Sequence, residues 1–160
     1  MLKYVLVIAA LGSVPVLACD GEEHAGQTAQ IGNVTVDQLA KKLVAAKKPA
    51  APALVIFDAN TDKTREEKGV IPTAILLPSS SDYDTALLPK GKADEVVFYC
   101  AATKCSASHT AAQRAVEAGY TNVKVLPEGI TGWLKAGKAT QKIKAAATAA
   151  PAAAAEPAQG

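Results

Sequence analysis

At 160 residues the chain has room for one domain and its tails. A formal charge of +2 is too small to argue for a nucleic-acid partner, and one Trp, two Phe and four Tyr argue against a large aromatic binding surface. Nearly half the residues are hydrophobic, but much of that fraction is alanine in low-complexity stretches that cannot fill a core.

The opening stretch MLKYVLVIAALGSVPVLAC reads as an export signal: a lone Lys3, an apolar run, then a small residue before Cys19. The run holds about a dozen apolar residues, short of the ~20 that a bilayer-spanning helix needs. VLAC is similar to a bacterial lipoprotein lipobox, which implies a signal peptide over residues 1–18 and lipidation of Cys19. The alternative is ordinary cleavage after Ala18, which leaves Cys19 as a free thiol. The expected product is exported, periplasmic and held to a membrane by lipid alone. Residues 19–30 are polar and read as a tether. Outside the cytosol a close cysteine pair oxidises readily, which bears on Cys100 and Cys105.

The first helix follows. Thr35 and Gln38 form a capping box, and Val36, Leu39, Leu43 and Ala46 recur at helical spacing until Pro49 ends the pattern. Residues 53–60, ALVIFDAN, are a continuous apolar run ending in an acid, the pattern of a buried parallel strand. TDKTREEKG is a polar turn or short helix, most simply a wet surface. A short strand over 74–77 leads into a loop with a helical turn, then a third strand over 95–100. A helix over 108–118 begins with Ser108 as its N-cap and closes at Gly119 in the left-handed C′ role. NVKVLP is a fourth strand, and EGITGWLKAGK a short final helix packed through Trp133. Residues 139–160 are rich in alanine, proline and lysine and are expected to form a disordered tail. Strands alternating with helices imply a single α/β domain over 31–138, built on an open parallel sheet. Ligands of such sheets sit beyond the carboxyl ends of the strands, where Cys100 falls.

LVIFDANTDKTREEKGVIPTAILLP resembles the rhodanese, or sulfurtransferase, family's DVR…E(Y/F)…GHIPGAINIP segment through Asp58, Gly69, Ile71, Pro72, Ala74 and Pro78. VVFYC resembles the strand that delivers that family's catalytic cysteine. AGYTNVKVLPEGITGWLKAGK resembles its ending through Gly129, Trp133, Ala136 and Gly137. The resemblance spans about residues 31–137 and implies a rhodanese-like fold with Cys100 as the catalytic residue. It further implies passage of sulfane sulfur through a Cys100 persulfide, from a thiosulfate-type donor to a thiol or cyanide, with no metal or organic cofactor. The sequence departs from the pattern at Asn60, Val70 and Thr73, where the family usually has Arg, His and Gly. The usual C-x-x-G-x-R-S loop is also absent. CAATKCSAS replaces it, longer by about two residues, without arginine and with a second cysteine.

A loop curling from strand to helix turns backbone N–H groups inward, and with the helix start these form a nest that favours thiolate. Ala101, Ala102, Thr103, Lys104, Cys105 and Ser106 are expected to cradle Cys100 in this way. Lys104 would restore part of the missing positive charge, and the hydroxyls of Thr103, Ser106 and Ser108 could donate to sulfur or to an anionic donor. Asp58 is expected to fix loop N–H groups. Cys105 is either a disulfide partner of Cys100 or a small buried residue. Three readings remain open: a sulfurtransferase acting on a small sulfur-containing anion or thiol, a non-enzymatic binding module, and a thiol redox protein with a redox partner. A phosphatase with a Cys-x5-Arg loop is excluded because the sixth residue after Cys100 is Ser106, while Arg114 lies far along the helix and is expected to be exposed. His109 reads as a solvated surface residue, and the spacing of two cysteines and one His offers no four-ligand metal site.

Overall fold

The computed structural model describes residues 30–48 and 53–143. The expected signal peptide, Cys19, the tether up to residue 29, Pro49 and the tail from residue 144 lie outside the described residues.

The chain runs β1 (Gly32–Asn33), α1 (Val36–Ala45), β2 (Leu54–Asp58), α2 (Asp62–Lys68), β3 (Ile75–Leu76), a 3-10 turn (Thr85–Leu87), β4 (Glu95–Tyr99), α3 (Ala107–Glu117), β5 (Val123–Leu126) and α4 (Gly129–Lys135). The strands form one five-stranded sheet in the order β1-β5-β4-β2-β3, parallel throughout. This is the expected rhodanese-like α/β architecture. β1 was not legible, because two residues carry no periodicity.

Apart from Asp58, Glu95 and Lys124, β2, β4 and β5 are built from Val, Ile, Leu, Phe and Tyr, residues that suit a sheet covered on both faces. Alternation along the strands sorts them into two cores. Phe57, Val96 and Phe98 face α3, where Ala111, Ala112 and Ala115 let the helix lie close, and the two Phe rings stack at 5.1 Å. Ile56, Val97 and Tyr99 face the other way, against Val36 and Leu39 of α1 and Ile130 and Trp133 of α4. Both Trp133 and the capping box of Thr35 and Gln38 stand as expected. The apolar stripe of α1 is shorter than its sequence suggests: Leu43 is half-buried, Ala46 is exposed and lies past the last helical residue, and Val44 is 66% exposed.

The folded chain also continues beyond Lys138. Val70 and Gln141 exchange backbone hydrogen bonds of 2.9 and 2.8 Å, and the Trp133 indole N–H donates to the Ala139 carbonyl at 2.9 Å. The boundary expected at residue 138 is therefore too early. Composition misleads there because main-chain pairing needs no apolar side chains.

Candidate active site

The site begins with the ends of β2 and β4, where Asp58 and Tyr99 lie side by side in register. Asp58 is fully buried. Its Oδ1 accepts from the Asn60 N–H at 2.7 Å and Arg65 Nε at 3.1 Å, and its Oδ2 accepts from the Tyr99 hydroxyl at 2.5 Å and Asn60 Nδ2 at 3.3 Å. Tyr99 in turn accepts from the Ile71 N–H at 3.0 Å, and its phenol is pushed far above its ordinary range by burial and by Asp58. The expected role of Asp58 in fixing loop backbone holds at Asn60. Its main partner was missed. Arg65 of α2, read as part of a wet surface, is 5% exposed. Its Nη2 donates to the carbonyls of Asp58 and Leu77 at 3.0 and 2.8 Å, and its Nη1 to Asp62 at 2.9 Å. The signal that could have found it is physical: an acid closing a buried strand needs a partnered cation, and Arg65 is the first arginine in the chain.

β4 passes directly from Tyr99 to Cys100, whose side chain falls on the α3 face by alternation. The loop then turns back on itself, with the Cys105 N–H donating to the Ala102 carbonyl at 2.8 Å. Beneath it, α4 grips the loop backbone. Ile130 N–H donates to the Cys100 carbonyl at 2.9 Å and Thr131 N–H to the Ala101 carbonyl at 3.1 Å. The approach requires Gly129, which adopts φ +57°. Lys68 of α2 reaches the same corner and donates to Thr131 Oγ1 at 2.9 Å.

α3 starts one residue earlier than expected, with Ser106 at the N-cap and no side-chain cap bond. Ser108 is thus not the N-cap. It is buried in the first turn, its Oγ 3.4 Å from Cys100 Sγ, and its N–H also donates to that sulfur. Of the hydroxyls expected near the thiol, this is the one that reaches it. Thr103, Lys104 and Ser106 are exposed on the loop, and Ala101 and Ala102 are half-buried.

The two thiols are not placed as expected. Cys100 is 1% exposed, and its Sγ faces the carbonyl oxygens of Cys105 at 3.3 Å and Ala102 at 3.9 Å. Burial pushes its pKa up, and its S–H donation to the Cys105 sulfur adds to that; Ser108 opposes. Cys105 is half-buried, and its pKa goes down. Burial works against that shift, but the Cys100 thiol and the N–H groups of Ala101 and Ala107 all donate to its sulfur and prevail. The loop amides of Ala101 and Ala107 thus act on Cys105, while Cys100 keeps the Ser108 N–H and faces two carbonyl oxygens. Both cysteines are free, and Cys100 Sγ lies 3.3 Å from the Cys105 carbonyl oxygen.

Two other expectations meet the structure here. His109 is exposed in the first turn of α3, as expected. Arg114 is not exposed. It is half-buried, donates to the Tyr83 carbonyl at 2.9 Å and packs 5.5 Å from the Tyr83 ring, so it braces a loop instead of meeting the thiols.

No curated protein matches the chain in sequence. Solved structures share its fold. The rhodanese-like domain of an Anabaena protein superposes with a TM-score of 0.57 at 21% identity, covering 82% of this chain and 92% of that one. A Rhodopseudomonas palustris protein of unknown function, described as a possible tyrosine phosphatase, gives 0.55 at 22%, covering 69% and 85%. A thiosulfate sulfurtransferase from Pseudomonas aeruginosa gives 0.54 at 23%, covering 68% of this chain and 20% of that one. The family model for the rhodanese-like domain matches residues 35–136, from the capping box of α1 to the end of α4, and the chain belongs to that family.

Proposed function

We propose that the domain is a sulfurtransferase that carries sulfane sulfur as a persulfide on its loop thiols. The observation that supports this most is the thiol pair at the carboxyl end of β4, held between the start of α3 and the start of α4. A thiolate there attacks the outer sulfur of a thiosulfate-type anion. The donor's S–S bond breaks, sulfite leaves with the electron pair, and the cysteine keeps the transferred sulfur as a persulfide. A thiol or cyanide acceptor then removes it. Lys104 on the loop and Lys68 beside Thr131 put positive charge near an incoming anion. No step requires a metal or an organic cofactor.

The test uses the full chain, reduced, with thiosulfate and cyanide. Thiocyanate should form, and the Cys100→Ser/Cys105→Ser double variant should lose about 100-fold or more of the rate. An unchanged rate in the double variant would sink the proposal. A wild type inert toward thiosulfate and polysulfide alike would leave a binding module. The placement of two free cysteines on one loop, with Cys100 Sγ 3.3 Å from the Cys105 carbonyl oxygen, favours one second reading, a thiol redox protein. That reading predicts loss of both thiols to a mild disulfide oxidant and no uptake of sulfur.

The leader places this chemistry outside the cytosol in our reading, with Cys19 as the lipid attachment point. The wild-type chain should then partition with membranes and a Cys19→Ala variant should not; equal partitioning of both would remove the anchor.

A further inference from the structure

We infer that the half-buried ammonium of Lys68 is the oxyanion subsite of the domain, the group that grips the sulfonate end of a thiosulfate-type donor in place of the arginine that the loop lacks. The inference rests on the reading that the domain carries sulfane sulfur.

Lys68 is set apart by the counter-ion it lacks. Among the described residues, every other lysine or arginine that is at least half-buried meets a carboxylate. Lys42 and Lys124 share Glu95 at 2.8 and 2.7 Å, Arg65 meets Asp58 at 3.1 Å, Lys138 meets Asp37 at 3.1 Å, and Arg114 meets Asp82 at 3.8 Å. Lys68 is half-buried, and its hydrogen-bond partner among those residues is a neutral oxygen, Thr131 Oγ1 at 2.9 Å. An ammonium has three N–H donors, so two stay open. A cation drawn partly out of water without a counter-ion is completed by an anion that reaches it.

The same contact ties Lys68 to the thiol loop. The Thr131 N–H donates to the Ala101 carbonyl at 3.1 Å, and the Ile130 N–H before it to the Cys100 carbonyl at 2.9 Å. The ammonium thus stands on the turn of α4 that fixes the first two residues of the loop. The Thr131 oxygen accepts from Lys68, which leaves the Thr131 proton free to donate to the same anion. The backbone carrying Lys68 is held on both sides. Arg65, three residues before it, is locked onto Asp58, and Val70, two residues after it, exchanges main-chain bonds with Gln141. A cation on a fixed backbone is suited to orienting a small donor.

The other cations near the loop are less suited. Arg65 is occupied by Asp58, Asp62 and two carbonyls, and Arg114 by Tyr83. Lys104 is exposed, where water and salt screen its charge.

The experiment measures kcat/KM of the reduced full chain for two sulfur donors, with cyanide as the acceptor. One is thiosulfate. The other is an alkyl hydropersulfide, whose leaving group is a thiol without an oxyanion. Lys68→Gln keeps an N–H for Thr131 and removes the charge. It should lower kcat/KM for thiosulfate about 10-fold and leave that for the hydropersulfide within about 2-fold of wild type. Lys68→Arg should hold thiosulfate within about 3-fold of wild type. Should Lys68→Gln fold poorly, Lys68→Met, which keeps the apolar stem, takes its place with the same expected result. A thiosulfate value that survives loss of the charge, or an equal fall with both donors, would overturn the subsite. So would a wild type that takes sulfur from the hydropersulfide but not from thiosulfate. In each of these cases thiocyanate would still form, and the sulfurtransferase reading would stand. A wild type that forms thiocyanate from neither donor would end both.

Discussion

A Gly129→Ala variant is expected to lose about 2–4 kcal/mol of stability, the sum of left-handed backbone strain and overpacking. A Cβ at this position would lie 2.3 Å from the Cys100 carbonyl oxygen and 2.9 Å from Ala101 C and Ala102 N, at φ +57°. All three atoms are backbone, so no rotamer change relieves the clash. Either α4 moves off the loop, giving up the Ile130 and Thr131 hydrogen bonds, or the loop moves and takes both thiols with it. A displacement on the order of 1 Å in a reacting atom is enough to slow its chemistry about 100-fold. Urea denaturation and the rate of sulfur uptake read the two effects separately. Gly119→Ala is the control: its φ is +88° but its Cβ would meet nothing within 4 Å, so about 1 kcal/mol of strain and normal uptake are expected. A Gly129→Ala protein with wild-type stability and rate would show that the grip of α4 on the loop does not matter.

Asp58→Ala is expected to destabilise the domain by about 2–4 kcal/mol, because it removes the buried carboxylate from Arg65 and leaves the guanidinium only the exposed Asp62 as a charged partner. Arg65 is 5% exposed and cannot reach water without unpacking α2. The Asn60 N–H and the Tyr99 hydroxyl lose their acceptor at the same time. Replacing both charges, as Asp58→Ala with Arg65→Leu, should recover part of the loss, so that the two single changes are strongly non-additive. Chemical denaturation of the four proteins of this cycle measures the coupling. A loss below about 1 kcal/mol for Asp58→Ala would mean that the ion pair is not what holds the two strand ends together.

β2, β4 and β5 were legible because a strand covered on both faces is apolar along most of its length, with charge confined here to Asp58, Glu95 and Lys124, and α1 because its capping box is a local device. α2 was legible as an element but not in its role. A charged run reads as solvent-facing, and nothing in TDKTREEK marks Arg65 as the side chain that turns inward to Asp58. Ser108 was read both as the N-cap and as a donor to the sulfur, and only the second role holds, because the cap falls two residues earlier, on Ser106, and leaves Ser108 in the first turn aimed at the thiol. The path of the loop was the least legible feature. Both cysteines stand in the sequence, but that Cys100 Sγ faces the carbonyls of Ala102 and Cys105 depends on backbone angles across the whole loop, and residue types do not encode those angles one by one.

The return of the chain across α4 sets a practical lower limit on the domain. Ending it at Lys138, as composition suggests, would strip the indole of Trp133 of its acceptor and Val70 of both its main-chain partners. The shortest version that keeps every contact of this clasp runs through Gln141, and tags or fused partners belong beyond it.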